Sequence, residues 1–128
     1  MLTSCSDYHI FNKLKFKSRK ECMDSYCEVV AAAFEAGVRP RCHLEDLTRA
    51  DIDGFVLPFV DRLMEMSSKA PPELGVKVRL CDTMGFGISY PGVPLPRSIP
   101  KLIYKLNKEC GVPSSRLEWH GHNDFHKV

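Results

Sequence analysis

Three short runs of the chain, Val38 to Glu45, Val76 to Thr83 and Arg116 to His122, each read as a β-strand with one apolar and one charged face. Side chains along a strand point alternately to its two faces. In the first run Arg41, His43 and Glu45 share a face, and Cys42 and Leu44 take the other. In the second, Lys77, Arg79, Cys81 and Thr83 lie opposite Val76, Val78, Leu80 and Asp82. In the third, Glu118, His120 and His122 lie opposite Leu117 and Trp119. An open doubly wound sheet buries both faces of its strands and reads as near-continuous apolar runs. A barrel wall, apolar outside and polar inside, fits this pattern better. Burying Arg41, Glu45, Arg79 and Glu118 unpaired would cost several kcal/mol each, so they are expected to pair across the interior or to bind a ligand.

Amphipathic helices fill the gaps between these runs. Ser18-Arg19-Lys20-Glu21 fits a capping box, Cys22, Tyr26, Val29, Val30 and Ala33 recur at helical spacing, and Gly37 stands where such a helix stops. After a polar turn from Asp46 to Asp53, a second stripe is formed by Phe55, Val56, Phe59, Val60, Leu63 and Met64. Pro58 limits its start, and the helix ends before Pro71-Pro72. Met84 to Arg97 reads as a long loop. Ser98 then caps a third helix, with Ile99, Leu102, Ile103, Leu106 and Cys110 inward and Gly111 at its end. Thr3 to Asp7 reads as the end of an earlier strand. The order β-α-β-α-β-α-β predicts an α/β fold with a parallel sheet, in a single domain over residues 1–128.

Composition narrows the function classes. At 44% hydrophobic and 27% charged residues the chain is of ordinary globular composition, and a net charge of +2 gives no field suited to nucleic acid. The basic stretch Lys13, Lys15, Lys17, Arg19 and Lys20 reads as a solvated surface or as a contact for a phosphate or carboxylate. No run of the sequence is apolar for long enough to span a bilayer, and no membrane partner is expected. The six cysteines form no CxxC pair and read as free thiols packed as small hydrophobes, which predicts a reducing, cytoplasmic setting.

In β/α barrels the chemistry sits at the C-terminal ends of the strands. Here those ends carry Ser6-Asp7, Glu45-Asp46, Asp82-Thr83 and His120 to Asp124. His120 and His122, two apart on one strand, can meet one metal ion with Gly121 leaving room between them; the other reading is a satisfied histidine pair. His126 is either an extra ligand or a surface residue. Glu45 reads as a base, a base's partner, a ligand, or half of an ion pair with Arg41 or Arg79. Thr83 can hold a substrate carboxylate, and Asp7 or His9 can face substrate, against plain turn roles for all three. His43 and Arg79, on the inward faces, complete the candidate substrate-binding set. Gly85 and Gly87 do not make a dinucleotide fingerprint, and no serine or cysteine stands in a nucleophile setting.

Four segments together carry a resemblance: Ser4-Cys5-Ser6-Asp7-Tyr8-His9, Glu45-Asp46 with Arg49, Asp82-Thr83-Met84-Gly85, and His120-Gly121-His122-Asn123-Asp124. The chain resembles the barrel domain shared by 2-isopropylmalate, homocitrate and citramalate synthases and the Re-face citrate synthases. Arg41 to Asp46 and Glu118 to Val128 look most like the Re-citrate synthase branch, whose 2-oxo acid is oxaloacetate. The resemblance implies part of a (β/α)₈ TIM barrel, about strands four to seven. It implies condensation of acetyl coenzyme A with a 2-oxo acid, a divalent Mn²⁺, Mg²⁺ or Zn²⁺ ion held partly by His120 and His122, Glu45 assisting proton removal, and Thr83 on the 2-oxo acid carboxylate. It also implies a homo-oligomer.

Nothing in the chain matches the family's first-strand Asp-Arg-Glu motif, which gives a third metal ligand and a carbonyl-polarising arginine. The chain alone is therefore expected to be nearly inactive and to bind metal weakly. Three other readings stay open: a carbon–carbon lyase of the same superfamily, an amidohydrolase with its own HxH pair, and a self-associating fragment without activity.

Overall fold

The computed structural model describes residues 1–126. Three helices and three strands alternate: α1 (Arg19–Glu35), β1 (Arg41–Leu44), α2 (Leu57–Ser68), β2 (Lys77–Asp82), α3 (Ile99–Lys108) and β3 (Leu117–Gly121). The strands are parallel in the order β1-β2-β3, with His43 opposite Arg79 and Arg79 opposite Glu118. Ahead of them the segment from Met1 to Cys5 runs parallel beside β1. Thr3 N–H donates to the His43 carbonyl at 2.9 Å, His43 N–H to Met1 at 3.0 Å and Cys5 N–H to Glu45 at 3.0 Å. The expected alternation of strand and helix is thus present, in an α/β fold with a parallel sheet consistent with part of a barrel.

Each helix begins where its cap dictates. Ser18 Oγ accepts the Glu21 N–H at 3.0 Å, and the Glu21 carboxylate accepts the Lys17 N–H at 2.6 Å. Pro58 sits in the first turn of α2, where a missing N–H costs nothing. Gly37, at φ +70°, takes the left-handed turn that releases the chain from α1.

One core joins the apolar strand face to the helices. Cys42, Leu44, Val78 and Leu80 pack with Tyr26, Val30, Phe59, Leu63, Leu102 and Leu106, all buried. Fully burying Phe59 or Leu63 contributes about 2 kcal/mol each. All six cysteines are buried and free, as expected.

The structure corrects two helix faces and the strand lengths. Val29 and Ile103, expected inward, are 51% and 38% exposed, because each lies at the border of a stripe that its neighbours Val30 and Leu102 already fill. The first strand starts at Arg41 rather than Val38, since Pro40 has no N–H to extend the ladder. The turn after β1 is more ordered than expected: a 3₁₀ turn (Leu47–Arg49) and a π-helical turn (Ile52–Val56) lead into α2.

Candidate active site at the strand ends

The polar strand face holds its charges in pairs, as burial demands. Glu118 faces Arg41 at 3.2 Å and Lys77 at 3.6 Å through one oxygen, and Arg79 at 2.9 Å through the other. Burial pushes the Glu118 carboxyl up, but the Arg79 hydrogen bond and the charges of Arg41, Arg79 and Lys77 outweigh it and hold the group below its ordinary value. Arg41 and Arg79, the two ion-pair partners weighed for Glu45, both pair with Glu118 instead.

Toward the strand C-terminal ends this face opens into a cavity of about 230 Å³. Its wall is made by His43 on β1 and Glu45 just after it, Arg79 and Cys81 on β2 and Thr83 just after it, and His120 and His122 on and after β3, with Leu2 closing one side. Six expected site residues (His43, Glu45, Arg79, Thr83, His120 and His122) thus meet in one hollow. A larger groove of about 730 Å³ runs along α3, but Lys108 is its only charged lining residue, so it holds no acid–base pair.

Glu45 is fixed from behind. Ser4 Oγ donates to its Oε2 at 2.7 Å, and His9 Nδ1 lies 3.8 Å from the same oxygen. His9 is buried and does not line the cavity; its other nitrogen lies 3.7 Å from Asp46 Oδ2. Asp46 is fully buried and takes the left-handed conformation at φ +60°. Its carboxylate accepts Ser6 Oγ at 2.5 Å and Arg49 Nε at 2.9 Å. Its N–H donates to Thr83 Oγ1 at 2.7 Å, which leaves the Thr83 hydroxyl proton free to donate elsewhere.

Asp7 is placed away from this cavity. Both its oxygens accept from Arg19, at 2.8 and 2.9 Å, and Arg19 also holds Asp51. His43, in the wall, has its imidazole pKa pushed down by burial first and by the Arg79 charge second, so it is neutral at pH 7. Burial drives the Cys81 thiol up to about 11, which leaves it a poor nucleophile at neutral pH.

His120 and His122 present their rings edge to face, with centroids 5.3 Å apart. Gly85, at φ +69°, lets the loop after β2 approach them: a Cβ there would come within 3.2 Å of the His122 carbonyl. Asp82 anchors that loop, accepting Thr48 Oγ1 at 2.7 Å and the N–H groups of Phe86 and Gly87 at 2.9 and 2.7 Å. Two imidazoles on one cavity wall suit a divalent ion as part of a donor set. Among the described residues no group of three or more histidine, cysteine or acidic side chains is close enough to hold one, so the pair fits as a partial set.

Sequence reasoning missed the hub at Asp46 and the loop anchor at Asp82. An acidic residue after a strand looks like any polar turn. The available signal was weak: Asp is among the few non-glycine residues that enter the left-handed region readily.

Polar groups gathered at the C-terminal ends of parallel strands define the site class of β/α proteins. No family model matches the chain. By sequence it is similar, over nearly all its length, to a segment of citrate (Re)-synthases and 2-isopropylmalate synthases, and it spans less than a third of the length of these relatives. It is 56% identical over its whole length to the citrate (Re)-synthase of Clostridium kluyveri, spanning 28% of that protein. It is 50% identical, again over its whole length, to the citrate (Re)-synthase of Syntrophus aciditrophicus, spanning 20% of it. The 2-phosphinomethylmalate synthase of Streptomyces hygroscopicus is 42% identical over 97% of the chain, which spans 28% of that relative.

Proposed function

We propose that the chain supplies half of an active site that condenses acetyl coenzyme A with a 2-oxo acid, oxaloacetate first among them, in an acyltransferase of the citrate (Re)-synthase type. The single observation that carries this reading is the meeting of Glu45, Thr83, His120 and His122 in one small cavity at the strand ends. The names of the relatives point the same way.

In this reading Thr83 donates its free hydroxyl proton to the 2-oxo acid carboxylate. Glu45, held by Ser4, assists removal of a proton from the acetyl methyl group. His43 and Arg79 line the wall, and the Arg79 guanidinium favours an anionic substrate. Asp7, tied to Arg19, and His9, buried behind Glu45, shape the site without touching substrate. His120 and His122 would hold a divalent ion, Mn²⁺, Mg²⁺ or Zn²⁺, with donors from elsewhere in the assembly. Such an ion, when bound, acts as a Lewis acid on the 2-oxo carbonyl. No helix among the described residues is long and apolar enough to cross a membrane, and we place the protein in the cytoplasm. We also expect a homo-oligomer, as the resemblance drawn from the sequence implies.

Calorimetric titration with Mn²⁺, with and without oxaloacetate, tests this. Wild type should bind weakly and tighten when oxaloacetate is present, and the His120→Ala/His122→Ala double variant should bind neither way. Equal Mn²⁺ binding by the two proteins would overturn the assignment.

A further inference from the structure

The two groups that the proposed function uses most, Glu45 and Thr83, lie on different strands, yet one residue touches the placement of both. We propose that Asp46 is the positioning residue of the cavity: its left-handed turn fixes Thr83 through the backbone while its carboxylate braces the strand end that presents Glu45. The proposal rests on the roles given above to Glu45 and Thr83.

The turn comes first. At φ +60° and ψ +33° the chain reverses immediately after Glu45, and the Asp46 N–H swings across to β2. There it donates to Thr83 Oγ1 at 2.7 Å. A hydroxyl that has accepted this bond keeps its own proton for another partner, and Thr83 lies in the cavity wall. The bond therefore orients the donor toward the space where a substrate anion would lie.

The side chain comes second. With no exposed surface, the Asp46 carboxylate needs partners. It finds Ser6 on one side and Arg49 on the other, and Arg49 in turn lies over the Tyr8 ring at 5.4 Å. His9 stands between Asp46 and Glu45, one ring nitrogen toward each carboxylate. Ser4 and Ser6, two apart on the same segment, each donate to one of the two acids. Glu45 and Asp46 are thus held by one matched set of groups from residues 4 to 9. A Glu45 carboxylate free to rotate would lose this set, and so would the reach of Asp46 toward Thr83.

Three variants separate the turn from the charge. Asp46→Asn tolerates the left-handed turn and keeps a carbonyl oxygen for Ser6 or Arg49. Asp46→Ala resists the turn. Thr83→Val removes the acceptor and leaves Asp46 untouched. The first readout is amide hydrogen exchange at residue 46, followed by NMR in the whole chain. Exchange should speed about ten-fold in Asp46→Ala and in Thr83→Val, and change little in Asp46→Asn. The second is oxaloacetate titrated against the Thr83 and Glu45 resonances, whose response should follow the same order. Equal exchange rates at residue 46 in wild type and Thr83→Val, or no rescue by asparagine relative to alanine, would overturn the positioning role. If the exchange pattern holds and oxaloacetate perturbs neither residue in wild type, the functional reading fails and the brace stands.

Discussion

Arg19 shows how one side chain can be misread in sequence and reassigned by geometry. Within Lys13 to Lys20 it looks like one more solvated charge, yet it clasps Asp7 through two bonds and Asp51 through a third at 2.9 Å. Asp51 in turn caps the turn before α2, accepting the Gly54 N–H at 2.9 Å. The Asp51 carboxyl is therefore held below its ordinary range, by the Gly54 bond first and by Arg19 second, against the opposing effect of burial. Because the folded pKa is depressed, its stabilisation is present above the unfolded value of about 3.9 and is lost as pH falls through the folded one. Arg19→Gln should raise the Asp51 midpoint while leaving it below about 3.9, since the Gly54 bond survives. Both acids are about half exposed, so the loss should stay within about 1 kcal/mol at neutral pH and shrink in acid, as pH falls through the folded Asp51 value. Carboxyl ¹³C NMR reads the midpoint, and urea unfolding at neutral and at acid pH reads the stability. An unmoved Asp51 midpoint would refute the clasp.

Helices were more legible than strand ends, and the reason is local. A helix start is written in a few adjacent residues: Ser18 and Glu21 name the first turn of α1, and each makes the bond expected of the motif or of its immediate neighbour. Replacing Ser18 with Ala should therefore cost about 1 kcal/mol, read as a lowered urea midpoint with an unchanged slope. An unchanged midpoint would mean that packing of Cys22, Tyr26 and Val30 alone holds the helix. Strand faces were legible too, because alternation with period two separates Cys42 and Leu44 from Arg41 and His43 without any knowledge of neighbours. What could not be read is where residues far apart in sequence meet. Asp46 acquires its role only when Thr83, 37 positions later, comes alongside. Arg79 finds Glu118 rather than Glu45 because the register sets those two residues opposite one another. The left-handed turn at Asp46 likewise has no unique sequence sign. The candidate residues on the strands and directly after them therefore line the cavity, whereas Asp7 and His9, at the start of the π-helical turn Tyr8–Lys13, do not.

On the scale of the molecule, the sheet is where the chain has most left to bury. β1 and β2 are flanked on both sides, but β3 pairs only with β2 among the described residues, and its second half is exposed. Trp119 is 37% exposed on that strand, and Phe125, 54% exposed, stacks on Phe86 just beyond it. A free parallel edge with aromatic groups beside it is a template for another strand, and natural edges are usually blunted by charge. The Lys77, Arg79 and Glu118 charges point into the cavity side and are already paired, so they do not protect the edge. Self-association through β3 should therefore rise with protein concentration in sedimentation velocity. Trp119→Lys, which puts an ammonium on the edge strand without touching the β1–β2 core, should shift the population toward monomer. His120→Ala, a change of similar position that adds no charge, should leave the distribution as in wild type. A wild-type chain that stays monomeric at every concentration would show that the edge is already closed by the chain's own residues. Association that Trp119→Lys leaves intact would instead move the interface to the apolar groove along α3, where Ile103 and Tyr104 are exposed.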